Sequence, residues 1–423
     1  MTPIAFSALF AAALLTTLAL KLWLATRQVR HVALHRAQVP AAFAERITLF
    51  AHQRAADYTI ARTRLGIVDM LIGTVVVVGL TLLGGLQWLH LTLLELMPQA
   101  GLWRQLLLIG VVALVSSALD LPLAWYRQFR LEQRFGFNRM TLALWLADLA
   151  KGLLLTVLLG LPLTAAVLWL MHVAGADWWL YTWLVWISFN LLVLLVYPTV
   201  IAPLFNKFEP LQDLALRDRI EALMSRCGFE SRGLFVMDGS RRSAHGNAYF
   251  TGLGRSKRIV FFDTLIERLS PAEIEAVLAH ELGHFKRLHV LKLIASSFAL
   301  SLSGLWLLGQ LAGQPWFYQG LGVTASADHQ ALALLLFLMA APAFTFPLQP
   351  LLSLASRRHE FEADAFAADQ SEPAQLVSAL VKLYQDNAAT LTPDPLHSAF
   401  YDSHPPAAQR VGRLEQMNAQ ASA

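Results

Sequence analysis

The sequence predicts a polytopic α-helical membrane protein, with seven transmembrane helices and a small α+β soluble domain on the cytoplasmic side. Three observations lead there. Hydrophobic residues make up 56% of the 423-residue chain and charged residues only 15%, with a mean hydropathy of +0.50, outside the usual range of soluble globular proteins. Seven apolar runs, at about 4–25, 65–86, 105–126, 152–172, 178–198, 290–311 and 329–349, are each long enough to cross a hydrocarbon core. Between the fifth and sixth runs the composition turns polar, and short β-like runs alternate there with helical patterns.

The basic residues set the orientation. The first loop carries Arg27, Arg30, Arg36, Arg46, Arg54, Arg62 and Arg64, the second only Arg104, and the third Arg127, Arg130, Arg134 and Arg139. The short fourth loop and the 312–328 loop carry none. The positive-inside rule therefore places the N-terminus outside and the C-terminus in the cytoplasm, a parity that seven spans satisfy. This distribution also explains the net charge of +4 and the pI near 9.3 without nucleic acid as a partner. The first run lacks a basic leader and a small-residue cleavage site, so it reads as a retained span. Cys227, the only cysteine, excludes an internal disulfide and a thiolate metal cluster, and reads as a packing residue of a cytosolic helix.

Residues 1–201 are thus expected to form an N-terminal membrane region of five helices, and 202–423 a second domain that includes the sixth and seventh spans. Asp69, Asp120, Asp148, Lys151 and Lys292 lie at or near membrane depth. Charges there are costly and either pair between helices or line a polar interior. In the second domain Leu211, Leu214, Ile220, Leu223 and Met224 mark a helix over 211–227, followed by strands at 233–237, 247–251 and 258–262. The last two flank Gly252-Leu253-Gly254-Arg255-Ser256-Lys257, a hairpin loop. Asn247-Ala248-Tyr249-Phe250 is the candidate edge strand, on which an extended peptide could pair through its backbone.

A helix then opens at Ser270-Pro271-Ala272-Glu273, which has the residues of a capping box with Pro at the first helical position. It carries Ala279-His280-Glu281-Leu282-Gly283-His284. Histidines four apart share one helix face at a separation that one metal ion can bridge, and the intervening glutamate lies close enough to hold a water without binding the metal. This is the helix of a zinc hydrolase. Because it runs into the sixth span while an acidic segment leaves the seventh, the centre is expected at the cytoplasmic side of the membrane.

A catalytic zinc takes three protein ligands and keeps a fourth position open. Glu360, Glu362, Asp364 and His404 are the downstream candidates for the third. On a helix, Ser356, Glu360, Ala363, Asp364 and Ala367 share a small, acidic face, with Glu362 pointing away, so Glu360 with Asp364 one turn on suits a ligand and its support. His404, in Ser403-His404-Pro405-Pro406, could donate to the oxyanion formed when water attacks a carbonyl. His245, His289, His359 and His397 read as packing residues.

Together these residues resemble the type I CAAX prenyl protease family, zinc membrane endopeptidases related to the yeast a-factor converting enzyme, over nearly the whole chain. The resemblance rests on Phe135-Gly136-Phe137-Asn138, Asp148-Leu149-Ala150-Lys151-Gly152, Asn247-Ala248-Tyr249-Phe250-Thr251-Gly252, Lys257-Arg258-Ile259-Val260 and Asp263-Thr264-Leu265. It continues through the His280 to His284 motif, Glu360-Phe361-Glu362-Ala363-Asp364-Ala365 and Ser403-His404-Pro405-Pro406. It implies one Zn2+ per chain held by His280, His284 and Glu360, with Glu281 as general base and Asp364 supporting the metal ligands. It places His404 and Arg410 near the scissile carbonyl, and Asn247 on the strand of Ala248, Tyr249 and Phe250 that binds substrate. It further implies a gluzincin-type domain beneath a ring of seven helices, which encloses a water-filled chamber with the site facing inward.

The expected partners are a peptide or protein substrate, prenylated or not, and the lipid bilayer, with no obligate protein partner evident. The composition looks bacterial, which favours an inner membrane over the endoplasmic reticulum. A membrane-protein quality-control protease without prenyl specificity is the alternative enzyme. A transporter or channel with structural zinc is the alternative class, disfavoured because structural zinc is normally closed by four protein ligands.

Overall fold

The computed structural model describes residues 1–230, 233–251, 258–324 and 329–421. Among them, seven helices are long and apolar enough to span a membrane: Pro3–Leu34, Leu49–Leu80, Gly101–Glu132, Leu142–Val173, Gly175–Phe205, His289–Ala312 and Gln330–Gln370. The chain is a multi-pass integral membrane protein. Several spans run to 32 residues, about 48 Å of helix, so they continue into water past the apolar runs that announce them. The second run differs most from expectation. Its helix ends at Leu80, Gly84 adopts φ 77°, and the chain re-enters a short helix at Gly85–Leu96. A side chain at Gly85 would meet the Gly79 carbonyl oxygen at 2.6 Å, so this turn requires glycine.

The spans do not pack into a solid bundle. The second, fourth, fifth and sixth bury almost none of their most apolar stretch against protein. One end is closed by Phe10, Leu86, Leu168, Phe317, Tyr318 and Leu332, which form one buried cluster. The third span contains Pro122 and passes into a π-helical turn at Arg127–Glu132, which presents Glu132 to the Tyr58 hydroxyl at 2.7 Å.

The soluble domain is built on a four-stranded sheet in the order β1-β2-β4-β3, with β1 at Phe208–Pro210, β2 at Leu234–Met237, β3 at Ala248–Thr251 and β4 at Arg258–Phe262. β2 and β4 are parallel, while β1 and β3 run antiparallel to their neighbours. The expected hairpin loop at 252–257 lies outside the described residues. Helix α1 (Leu214–Cys227) starts on the Asp213 side chain, which accepts from Leu216 N at 3.0 Å, and ends at Gly228 with φ 69°. Cys227 is buried there.

Helix α2 (Pro271–Lys286) opens with both bonds of the capping box: Glu273 N donates to Ser270 Oγ, and Ser270 N to Glu273 Oε2. The seventh span turns through Phe346–Leu348 into α3 (Gln349–Gln370), and α4 (Pro373–Asp386), α5 (Pro395–Tyr401) and α6 (Ala407–Ala421) follow. Ile220, Leu223, Phe261, Leu278, Leu282, Val411 and Leu414 are fully buried in one core. Each contributes roughly 1.5–3 kcal/mol of hydrophobic stabilisation.

Two contacts fasten this domain to the membrane region. Phe137 O accepts from Ala244 N and Arg242 O from Arg139 N, so the Phe135 to Asn138 signature grips the chain just before β3. Arg242 also forms a bidentate pair with Asp148 at 2.9 and 3.2 Å, and Lys151 Nζ donates to Leu204 O at 2.8 Å. Asp148 is therefore a fastener between the fourth span and the soluble domain, a third role beside the helix pairing and cavity lining that the sequence suggests, whereas Lys151 pairs the fourth span with the end of the fifth.

Candidate metal centre

Helix α2 and helix α3 cross at Gly283. A Cβ there would lie 3.0 Å from Ala363 Cα and 3.1 Å from Phe366 Cβ, so the missing side chain is what lets the two backbones touch. The close approach brings one turn of each helix together. His280 and His284 face Glu360 and Asp364.

His280 Nε2 and His284 Nε2 are 3.2 Å apart, Glu360 Oε1 is 3.4 Å from His284 Nε2, and Glu360 Oε2 is 3.5 Å from His280 Nε2. Ligand bonds of about 2.0–2.1 Å in tetrahedral array require donor separations of about 3.3 Å. All three separations fall near that value. Glu360 Oε2 is buried without a hydrogen-bond partner, as an oxygen kept for a cation would be. His280, His284 and Glu360 can thus hold a metal ion.

The groups behind these three hold them in place. Asp364 Oδ1 is 2.9 Å from His280 Nδ1, and Arg410 clamps Asp364 through Nε at 2.9 Å and Nη2 at 2.6 Å. Arg410 Nη1 reaches to 3.4 Å from Glu360 Oε2. Burial pulls the His280 imidazole down, but Asp364 and Glu360 outweigh it and raise its pKa to about 9 in the metal-free chain. A metal ion binding there displaces a proton.

The centre opens on a cavity of about 1080 Å³. His280, Glu281, Glu360 and His404 line one wall, and Thr59, Arg62, Gly66 and Met70 of the second span line another. Asp69 lies on the same helical face as Arg62 and Gly66. Burial raises the pKa of the Glu281 carboxyl. His404 Nε2 is 3.4 Å from Glu360 Oε1, and Ser403 Oγ is 3.0 Å from His404 Nδ1.

Asn247 and Ala248 enter the same cavity, and β3 is the edge strand of the sheet. The ladder bond from Phe262 N to Asn247 O leaves the next N–H, that of Ala248, facing outward, where Asn247 Oδ1 accepts it at 2.8 Å. Phe250 packs on Phe285 of α2 at 4.9 Å, whereas Tyr249 turns to the other face against Phe262.

His289, read in the sequence as a packing residue, and Glu362, read as pointing away, lie beside the ligands. His289 Nδ1 is 3.1 Å from His284 Nδ1, and its Nε2 is 3.1 Å from Glu362 Oε2. Glu362 does point away from the three ligands, but it ends on the first residue of the sixth span. The second histidine of a His-x4-His spacing after the motif was the available signal.

Comparison with known proteins bears on the whole chain. Residues 28–207 match the model for the CAAX prenyl protease N-terminal region of five membrane helices, and 210–418 the model for peptidase family M48. A CAAX prenyl protease 1 homolog of Oryza sativa is 39% identical over 72% of this chain and 71% of its own length. CAAX prenyl protease 1 of Saccharomyces cerevisiae is 36% identical over 74% and 72%, and the Homo sapiens homolog 31% over 76% and 75%. The crystal structure of S. mikatae Ste24p superposes with a TM-score of 0.89 at 29% identity, covering 97% of this chain and 99% of that one.

Proposed function

The chain belongs to peptidase family M48, and on that premise we propose that it is a zinc endopeptidase whose metal is held by His280, His284 and Glu360. The observation that carries this reading is the set of donor separations, 3.2 to 3.5 Å, at the wall of an interior cavity. Two nitrogens and one carboxylate, with the remaining side open to the cavity, suit catalytic zinc. Bound there, zinc supplies Lewis acidity, which makes water nucleophilic near neutral pH and polarises a carbonyl.

The chain's own residues do the rest. An extended peptide pairs along the outer edge of β3 at Asn247 to Phe250, which lays its backbone beside the two histidines. Glu281, half-buried and lining the cavity, accepts the proton of the attacking water on its carboxylate and hands it to the nitrogen of the leaving amine. Partial desolvation lowers the pKa of His404, which favours the neutral imidazole. In the tautomer in which the Ser403 hydroxyl, 3.0 Å away, donates to Nδ1, the His404 proton rests on Nε2 and is the one available to a developing oxyanion. Arg410 holds Asp364 and Glu360 and lines the cavity in which the carbonyl would lie.

The substrate class follows the relatives: peptides ending in a prenylated CAAX sequence, cleaved C-terminal to the modified cysteine. The arginine-rich first and third loops support an N-terminus outside and a C-terminus in the cytoplasm, and the composition favours a bacterial inner membrane. The test is cleavage of a farnesylated CAAX peptide beside its unprenylated twin by the detergent-solubilised full chain. Preferential cleavage of the farnesylated peptide is expected. Equal rates would shift the reading to quality control without prenyl specificity, and no cleavage of any peptide by zinc-loaded protein would remove the enzyme reading.

A further inference from the structure

We propose that His289 and Glu362 position His284, so that each metal-binding histidine is backed by a carboxylate and an arginine. The proposal rests on the zinc site assigned above. For His280 the backing is direct, through Asp364 and Arg410. For His284 it passes through a second imidazole. His284 turns Nε2 toward Glu360 and His280, so its proton sits on Nδ1 and is donated to His289 Nδ1, 3.1 Å away. The His289 proton then sits on Nε2 and is donated to Glu362 Oε2 at 3.1 Å, while Glu362 Oε1 accepts from Arg358 Nε at 3.2 Å. Every donor in this chain meets one acceptor. Such backing fixes the tautomer and ring plane of a ligand and raises its basicity.

Two further observations separate this from incidental packing. His289 is 4% exposed, and His359 stacks on its other face at 4.1 Å with planes 14° apart, so the ring is clamped. The residue before it, Leu288, adopts φ 57°, a left-handed conformation that is strained for a non-glycine residue. Leu288 is 56% exposed, so no packing of its own against the rest of the chain holds it in that conformation. The turn joins α2 to the sixth span and sets His289 beneath His284. Strain held in place by its surroundings marks a position the site requires. The sixth span is thereby tied to the metal through its first residue.

The test is zinc affinity of the detergent-solubilised full chain, by competition with a chromophoric chelator, with thermal unfolding to confirm folding. His289→Phe keeps the ring and its stacking but removes the acceptor, and should weaken zinc binding about 10- to 100-fold. Glu362→Leu should weaken it in the same direction, whereas Glu362→Gln, whose amide oxygen still accepts from Nε2, should lie near the parent. The double variant His289→Phe/Glu362→Leu should be no weaker than His289→Phe alone, because both act through one chain. The ligand-field spectrum of the cobalt-loaded protein should shift in His289→Phe and not in Glu362→Gln. Parental affinity in His289→Phe, or additive losses in the double variant, would overturn the relay. His284→Ala separates this from failure of the zinc reading. If it still binds stoichiometric zinc the site itself is misassigned, and if it loses zinc while His289→Phe does not, only the relay falls.

Discussion

Gly283→Ala is the sharpest perturbation of the helix crossing that builds the centre. The added methyl would lie 3.0 Å from Ala363 Cα, 3.1 Å from Ala363 O and 3.1 Å from Phe366 Cβ. Carbon contacts settle at about 3.5–4.0 Å, so α2 and α3 must part by several tenths of an ångström. Overpacking of this kind costs about 1–3 kcal/mol, offset by about 1 kcal/mol of helix propensity from replacing glycine with alanine. The net stability loss should be modest. The metal should suffer more, because Ala363 sits between Glu360 and Asp364, and ligand distances in a working site hold to about 0.2 Å. We expect zinc affinity to fall at least tenfold in chelator competition, with peptide cleavage falling alongside. Gly412→Ala, which has nothing within 4 Å of the new methyl, should leave zinc affinity unchanged. A Gly283→Ala protein with zinc affinity within twofold of the parent and an unchanged or raised Tm would refute this view of the crossing.

Three other outcomes are expected. Arg242→Ala strips Asp148 of its bidentate partner and should destabilise the protein by about 2 kcal/mol, read by thermal unfolding in detergent, whereas a loss under about 0.5 kcal/mol would show the fastener to be idle. Ser270→Ala should cost about 1 kcal/mol as a lost helix cap. Glu273→Ala should cost more, since Ser378 and Lys382 also donate to that carboxylate, at 2.6 and 2.7 Å. Burial acts to raise the Glu273 pKa, but these bonds outweigh it and lower it below the ordinary glutamate value. Its stabilisation is thus present above about pH 4.5 and fades as pH falls through the folded-state pKa, which pH-dependent unfolding of the parent and Glu273→Ala can check. In a Cys227→Ala background, Gln319→Cys should react with an impermeant thiol reagent on intact cells, and Glu45→Cys should not; the reverse pattern would invert the topology.

Much of this architecture was legible because membrane spans and helix starts are written locally. The seven apolar runs, the Ser270 capping box and the four-residue spacing of His280 and His284 all depend on residues close in sequence. The sheet was less legible. β1 is three residues long and shows no alternation, and the parallel pairing of β2 with β4 is a tertiary fact. Helix ends beyond the hydrocarbon were missed because polar helix formers such as those of α3 continue a helix without an apolar signal. The meeting of His289 with Glu362 was not legible for a related reason. Their meeting depends on the left-handed turn at Leu288, a non-glycine position that no residue preference announces. Arg242 escaped notice because its partner Asp148 lies 94 residues away.

The most direct test of the metal-dependent mechanism compares Glu360→Ala with Glu281→Gln, with zinc content and cleavage of one peptide measured on the same preparations. Glu360→Ala should lose zinc and activity together, because it removes one of three ligands. Glu281→Gln should keep one zinc per folded chain and lose at least about a hundredfold to ten-thousandfold in rate, the contribution of a general base. Full zinc occupancy in Glu360→Ala, or cleavage by zinc-loaded Glu281→Gln within about tenfold of the parent, would contradict the roles assigned to these two residues.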